Sequence, residues 1–539
     1  MSLLAQVQNP LRLPTQPTTQ ASTFHLPHVE YSLLLPELIV IGGALVLLLA
    51  SALIVRRRNT TLNTTLTLVT LAAAGAPLFW RWNEYRDHAA KVAKLSPSLA
   101  QLGSAVAGGP PTRAVVGAIA NDGFGIYLVG LLLIVAALGT LIGDSWVRRE
   151  DQARGPEFHV LILLATSGAM FMAIANDLIV TFLGLEILSL PLFVLAAYHS
   201  RRALGREAAM KYFILSAFSS ALFLYGVALT YGATGSTNLD EIGSFLAKNV
   251  TTNGVLLAGM GLLLVGFGFK VAAVPFHNWA PDVYQGAPSP VSGFMAAAAK
   301  IAAFAGMLRV FMTALESLRL DWQPLVAALA FLSLIVGAVL AAVQTDVKRM
   351  LAYSSISHAG FMLVGLQAGT IDGVASTLNY VAIYAFMLLG AFAVVTVASS
   401  PSHDVKQDLS DYRGLARRRP GLALLFTIFL LAQAGVPLTG GFIAKFDVIA
   451  AAVHAKSYAL ATIAMLSAVV AAFLYLRIVL SMYTSNEDDG EATVIVRDPA
   501  LRPSRAIAVA LAVAVIVTVA TGIIPGPALD LARHATFAF

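Results

Sequence analysis

Three lysines stand where lysines are costly. Lys270, Lys300 and Lys445 each sit in an apolar run long enough to cross a membrane, and each lies close to a proline- or glycine-rich interruption of that run. Lys270 belongs to the stretch Gly266-Phe-Gly-Phe-Lys270-Val-Ala-Ala-Val-Pro275-Phe-His277-Asn-Trp-Ala-Pro281-Asp282. Pro275 has no N–H to donate and its ring clashes with the carbonyl of Val271, so a helix through Lys270 must open just beyond it. Lys300 follows ten residues after Pro290, and Lys445 follows Gly435, Pro437, Gly440 and Gly441. An ammonium in hydrocarbon costs roughly 3 kcal/mol even on the gentler scales. Amines in such places can take up and release protons, because desolvation works against their charged form while a nearby carboxylate works for it. Glu186, in Phe182-Leu-Gly-Leu-Glu186-Ile-Leu-Ser-Leu-Pro191, is the carboxylate whose obvious counter-charge is Lys270.

Other charged residues inside apolar runs have plainer readings. Glu207 and Lys211 are spaced i, i+4 and can pair on one helix face. Arg309 and Arg477 lie near the ends of their spans and are expected to reach out to the interface. His277, Asp282 and His358 match no common metal-ligand spacing; His277 gains weight from its place between Lys270 and Lys300, where a group titrating near neutrality could relay protons.

The elements that must position these groups are membrane helices. Hydrophobic residues make up 58% of the 539 and charged residues 12%, about half the charged fraction of a soluble protein, and the mean hydropathy is +0.77. Apolar runs of about 20 residues predict about fourteen spans, and Leu239 to Val250 reads as a small amphipathic surface helix. The net charge of +6 resides in short loops, which argues against nucleic-acid binding. The chain has no cysteine, which removes thiolate metal sites, cysteine-ligated iron–sulfur clusters and disulfides from it. Residues 1 to 30 read as a polar arm, and residues 81–117 as a long loop. Lys and Arg gather in one alternating set of loops, at Arg56–Arg58, Arg148 to Arg154, Arg201 to Arg206, Lys348 and Arg349, Lys406 to Arg419, and Arg497 to Arg505. By the positive-inside bias, both termini face away from the cytoplasm.

Val274-Pro275 and Val436-Pro437 are 437 − 275 = 162 residues apart and five spans apart. An odd offset makes equivalent helices cross in opposite directions. The expected fold is therefore an all-α polytopic membrane protein with two inverted five-helix repeats, each containing a broken helix. Expected boundaries are 1–150 for the arm and helices 1–3, 151–320 and 321–485 for the repeats, and 486–539 for the last helix and tail.

At these residues the chain resembles the antiporter-like membrane subunits of respiratory complex I, a family shared with the multisubunit sodium/proton antiporters. The resemblance spans roughly residues 30 to 530 and rests on Phe-Leu-Gly-Leu-Glu186-Ile-Leu-Ser-Leu-Pro, Glu207-Ala-Ala-Met-Lys211-Tyr-Phe, the Lys270 to Asp282 stretch, Lys300-Ile-Ala and Gly-Val-Pro437-Leu-Thr-Gly-Gly-Phe-Ile-Ala-Lys445-Phe. Lys445 stands where another type within the family carries glutamate. The resemblance implies a proton-channel subunit in which Glu186 modulates Lys270, while Lys300 and His277 link it to Lys445. Glu207 and Lys211 are carried over as further site residues. It implies no cofactor in this chain; NAD, flavin, iron–sulfur clusters and quinone would sit in partner subunits. The implied partners are a neighbouring antiporter-like subunit, the small membrane subunits towards the quinone site and the lipid bilayer, in a bacterial cytoplasmic membrane. A subunit of a multisubunit cation/proton antiporter or of a membrane-bound hydrogenase is the alternative, and a non-transporting scaffold is a third.

Overall fold

The computed structural model describes residues 29–53, 60–95, 112–149, 155–199, 202–249, 253–399, 407–484 and 503–535. The polar arm, apart from Val29 and Glu30, lies outside these ranges. So do Arg56–Arg58, Arg154, Arg201, Lys406, Arg497 and Arg502.

The described chain is helical throughout, apart from its connections and one small hairpin. In order the helices are α1 (Leu35–Leu53), α2 (Thr60–Leu95), α3 (Gly123–Arg149), α4 (Glu157–Ile174), α5 (Leu178–Ala196), α6 (Ala203–Thr234), α7 (Leu239–Lys248), α8 (Gly254–Val271), α9 (Trp279–Gly286), α10 (Ser289–Arg309), α11 (Arg319–Val343), α12 (Val347–Ala368), α13 (Ile371–Ala398), α14 (Leu415–Arg418), α15 (Pro420–Ala434), α16 (Gly440–His454), α17 (Tyr458–Tyr483), α18 (Arg505–Ile523) and α19 (Gly526–His534). Twelve helical segments are long and apolar enough to cross a membrane. Two more crossings complete the predicted fourteen: α12, which is 22 residues long but carries Lys348, Arg349 and His358, and the pair α15–α16, which forms one interrupted span.

The long 81–117 loop is shorter than expected. α2 runs unbroken to Leu95, and Thr112–Ala114 pairs antiparallel with Ile119–Asn121 in a hairpin leading into α3. The apolar pattern had marked only the membrane part of α2, since its last turns carry Arg81, Glu84, Arg86 and Asp87. The surface helix is present as α7, where the Asn238 side chain accepts from the backbone N–H groups of Asp240 and Glu241 at 3.1 and 3.3 Å. That is N-capping chemistry, and it fixes where the helix starts.

The two innermost helices are α10, whose residues are all buried, and α13, buried over most of its length. Around Lys300, α10 reads Met295-Ala-Ala-Ala-Ala-Lys300-Ile-Ala-Ala. Small side chains allow close helix packing where no hydrophobic effect drives association. The chain thus places one lysine at the middle of its most enclosed helix.

Both predicted breaks are present. α8 ends at Val271, where Ala272 turns left-handed at φ 59°, and the chain resumes as helix only at Trp279. The Trp279 indole N–H donates to the Phe269 carbonyl at 2.9 Å and holds the second half-helix against the first. α15 ends at Ala434 with Gly435 at φ +89°, a value glycine alone adopts without strain. Thr439 then precedes α16.

Candidate functional site

Breaking a helix inside a membrane leaves carbonyls at the end of the first half with no partner in the helix, and the helix dipole adds partial negative charge there. Both breaks meet this need with a lysine. Lys300 Nζ, reaching from α10, donates to the Val271 carbonyl at 3.0 Å and to the Ser355 carbonyl of α12 at 2.7 Å. Lys445 Nζ, on α16, donates back across its own break to the carbonyls of Gln433 and Ala434, both at 2.9 Å. Each ammonium also lies over an aromatic ring, Tyr384 for Lys300 at 5.8 Å and Phe361 for Lys445 at 5.0 Å. Neither has a carboxylate within ion-pair distance among the described residues. These lysines are held by carbonyl dipoles and aromatic rings.

Lys270 is placed differently. Its Nζ donates to the Ser189 hydroxyl of α5 at 2.5 Å and lies 5.7 Å from the centre of the Tyr212 ring. The Glu186 carboxylate, less than one turn back on α5, accepts instead from the Ser220 hydroxyl of α6. The direct Glu186–Lys270 pairing expected from the sequence is therefore not formed. Ser189, which accepts the Lys270 bond, lies just under one turn beyond Glu186 on α5.

Between Lys300 and Lys445 lie two hydrogen-bonded sets of polar groups on α12, α13, α15 and α17. Tyr384 donates to the Ser355 hydroxyl at 2.8 Å. His358 Nδ1 hydrogen-bonds the Tyr380 hydroxyl at 2.7 Å, and its Nε2 bonds the Tyr475 hydroxyl at 3.1 Å. Tyr475 and Ser354 share a hydrogen bond at 2.5 Å, and Ser354 donates to Gln433 Oε1 at 3.4 Å. The Gln433 backbone carbonyl is one of the two that hold Lys445. Lys270, Lys300 and His358 are each 2% exposed and Lys445 6%, so a proton on any of them is out of bulk water.

His358 lies between Lys300 and Lys445, bonded into the Lys445 set through Tyr475 and with its ring 5.1 Å from that of Tyr384 beside Lys300. The sequence favours His277 instead, for its place between Lys270 and Lys300. His277 is half-buried beside the row with its ring 6.5 Å from Tyr353, and no hydrogen bond joins it to Lys270 or Lys300 among the described residues. Proximity along the chain favoured His277; Lys270 instead turns to Ser189, and Lys300 to the carbonyls of Val271 and Ser355.

Glu207 and Lys211 pair as their spacing predicts, at 2.7 Å, and Lys211 also pairs with Asp282 at 2.9 Å. Arg349 reaches the other oxygen of Asp282 at 2.6 Å. Asp282 anchors the second half of the broken helix to both α6 and α12. The network is partly exposed, and it fixes α9 rather than extending the buried row.

Arg309 corrects the expectation of a side chain reaching the interface. It is 2% exposed and makes a two-pronged ion pair with Asp122, Nη1 to Oδ2 at 2.6 Å and Nη2 to Oδ1 at 2.9 Å, with a further bond to the Ala173 carbonyl at 3.2 Å. α10 is enclosed along its whole length, so its end meets α3 and α4 instead of lipid headgroups. Arg477 is half-buried and caps the end of α11 through the carbonyls of Ala342 and Gln344.

Fold and site together define a polytopic membrane protein with a buried cationic row linking two broken helices. The family model described as NADH:quinone oxidoreductase/Mrp antiporter, TM, matches residues 175–471, which span the site from α4's end to α17. A protein named NADH-quinone oxidoreductase subunit N from Rhodococcus opacus is 44% identical, covering 74% of this chain and 73% of that one. One of the same name from Mycobacterium tuberculosis is 41% identical over 94% of this chain and 98% of that one. A chain of a structure titled respiratory complex I from Thermus thermophilus with bound aureothin superposes with a TM-score of 0.71 at 32% identity, covering 92% of this chain and 99% of that one. A chain of the Mrp complex from Dietzia superposes at 0.73 with 20% identity, a likeness of fold alone. The chain belongs to the NADH-quinone oxidoreductase subunit N family.

Proposed function

We propose that this chain carries protons across a bacterial cytoplasmic membrane as a subunit of a proton-translocating NADH:quinone oxidoreductase. The redox chemistry belongs to other subunits, which hold the NAD site, flavin, iron–sulfur clusters and quinone. Its own partners are a neighbouring antiporter-like subunit, the small subunits towards the quinone site and the bilayer. The reading rests on one observation above the others, the pair of lysines that bind the carbonyls of both half-helix ends, with His358 placed between them.

In this reading Glu186 sets the charge state of Lys270 through Ser189. Movement of charge in a neighbouring subunit changes how strongly Glu186 holds Lys270 positive, and repulsion along the row drives a proton from Lys300 through His358 to Lys445. Lys445 can yield it because its partners are carbonyl dipoles, which stabilise an ammonium without fixing it as a carboxylate would. Lifting one charge against 100 mV costs about 2.3 kcal/mol. A change of a few ångström between two buried charges is worth about 2 kcal/mol at an effective dielectric of about 20, which is comparable. His277, Glu207 and Lys211 remain proposed site residues: the two last set the position of α9, and His277 flanks the break.

The repeats at 151–320 and 321–485 supply the architecture of this reading. Their support is the matched breaks, the packing of α4 on α5 and of α11 on α12, and the lysine at each half-helix end. Between arm and helices 1–3 at 1–150 and helix and tail at 486–539, both termini lie on the non-cytoplasmic side. The alternative, a subunit of a multisubunit cation/proton antiporter or membrane-bound hydrogenase, draws on the fold likeness to an Mrp complex only. Co-purification of this chain with flavin and iron–sulfur subunits, and loss of proton uptake but not of quinone reduction in Lys270→Met and Lys445→Met, is the expected result. Purification with antiporter subunits alone contradicts the assignment. Wild-type pumping in both variants contradicts the lysine mechanism.

A further inference from the structure

One buried amide is bonded on one side only. Gln433 is 0% exposed and is the last residue but one of α15. Its backbone carbonyl accepts from Lys445 Nζ at 2.9 Å, and its side-chain Oε1 accepts from the Ser354 hydroxyl at 3.4 Å. Its Nε2 has no partner among the described residues. Buried donors are seldom left unpaired, and the protons of this set account for the exception.

A hydroxyl has a single proton to give, although its oxygen can also accept. Ser354 gives its proton to Gln433 Oε1, so in its hydrogen bond with Tyr475 at 2.5 Å the serine oxygen accepts and the phenol donates. Tyr475 has then given its own proton, and its oxygen accepts from His358 Nε2 at 3.1 Å. A neutral imidazole with its proton on Nε2 has a bare Nδ1, which accepts from the Tyr380 hydroxyl at 2.7 Å. All four bonds point one way, from Tyr380 through His358, Tyr475 and Ser354 to Gln433. Gln433 Oε1 is fixed as an acceptor, whereas hydroxyls and imidazole serve either way, so the direction is set at Gln433. Turned over by half a rotation about its last bond, the amide offers Nε2 to Ser354 instead. Every bond of the set then reverses, and Oε1 becomes the idle atom.

We infer that Gln433 is a positioning residue whose amide sets the direction of the His358, Tyr475 and Ser354 hydrogen bonds and, by turning over, resets it between protons. A proton arriving at His358 Nδ1 sends the Nε2 proton to the Tyr475 oxygen, the Tyr475 proton to Ser354, and the Ser354 proton to the neutral Lys445 amine, which is seated on the backbone carbonyl of the same glutamine. One proton enters and one leaves. Each hydroxyl now points back towards His358, and the Ser354 oxygen faces Gln433 in need of a donor. Nε2 is that donor, so the atom without a partner in one half of the cycle is the bonded atom in the other. The amide must turn again before the next proton can follow. The inference rests on the proposed roles of His358 and Lys445 and deepens them.

The competing role for the Gln433 side chain is a fixed acceptor for Ser354. The test is the proton-to-electron ratio of the whole complex in proteoliposomes, with quinone reduction measured in parallel, for Gln433→Glu, Gln433→Met, Tyr475→Phe and Lys445→Met. Glutamate keeps the size and the acceptor but, ionised beside the Lys445 ammonium, cannot donate; methionine keeps the size and is uncharged. The expected result is a ratio in Gln433→Glu, Gln433→Met and Tyr475→Phe as low as in Lys445→Met, with quinone reduction retained. A wild-type ratio in Gln433→Glu beside a lowered one in Gln433→Met makes the side chain a fixed acceptor and overturns the reversal. A wild-type ratio in Gln433→Met overturns it too, because no amide is then needed. Should both Gln433 variants fail to assemble, the inference still requires Tyr475→Phe to lower the ratio; a wild-type ratio there, beside a lowered one in Lys445→Met, overturns the inference and leaves the lysine row standing. A wild-type ratio in Lys445→Met overturns the proposed function of the row as well.

Discussion

Replacing His358 separates what the imidazole holds from what it carries. His358→Phe keeps an aromatic ring in a fully enclosed site and removes both ring nitrogens. Tyr475 retains its hydrogen bond to Ser354, so its hydroxyl is not orphaned. Tyr380 loses the partner that held it at 2.7 Å. One buried hydroxyl left unsatisfied costs about 1–3 kcal/mol, too little to unfold a chain of fourteen packed spans but enough to lower the melting temperature of the purified complex. The functional loss is expected to be far larger. Between Lys300 and Lys445 only tyrosine, serine and amide groups remain, none of which binds a proton near neutrality. The proton-to-electron ratio should therefore fall to that of Lys445→Met. His358→Gln distinguishes the two effects, since an amide can still bond Tyr380 or Tyr475 but does not titrate. Thermal stability should recover towards wild type in His358→Gln while the ratio stays low. Full pumping in that variant would refute the relay, because conduction would then need only a polar contact.

Three further outcomes follow from the same geometry. Asp122→Ala removes the carboxylate paired with the buried Arg309 guanidinium, at a cost of about 3–5 kcal/mol; complex assembly on native gels should drop, and Asp122→Ala with Arg309→Met should restore most of it. Gly435→Ala puts a side chain at φ +89°, with its Cβ 3.0 Å from Lys445 Cδ; the left-handed strain of about 1–2 kcal/mol and the displaced ammonium should lower the pumping ratio with quinone reduction retained. Glu207→Gln removes one of two carboxylates from an exposed lysine that keeps Asp282, and solvent screening makes such pairs weak; assembly and quinone reduction should be unchanged.

The breaks were legible in the sequence because they are local. Proline at 275 and glycines at 435, 440 and 441 dictate backbone geometry within a turn or two, and the three buried lysines were visible as charges in apolar runs. What could not be read was partner choice across the bundle. Arg309 meets Asp122 from 187 residues away, and His358 gains its role from Tyr475, 117 residues on. Neither contact leaves a periodic trace. The expected Glu186–Lys270 pair failed for a related reason: opposite charges suggested contact, whereas Lys270 bonds Ser189 and Glu186 bonds Ser220 of the neighbouring helix. The extension of α2 was hidden because its last turns are charged, so hydropathy ended the helix where the membrane ends.

The most direct test of proton transfer along the lysine row is the proton-to-electron ratio of Lys445→Arg. A guanidinium can keep the two carbonyl contacts that cap α15 and so preserve the fold. Its reference pKa exceeds that of lysine by about 2–3 units, which adds about 3–5 kcal/mol to every proton release and slows it by roughly 100-fold or more. With quinone reduction intact, the ratio should fall to the level of Lys445→Met. A wild-type ratio in Lys445→Arg would show that the charge at this position shapes the field without ever giving up its proton.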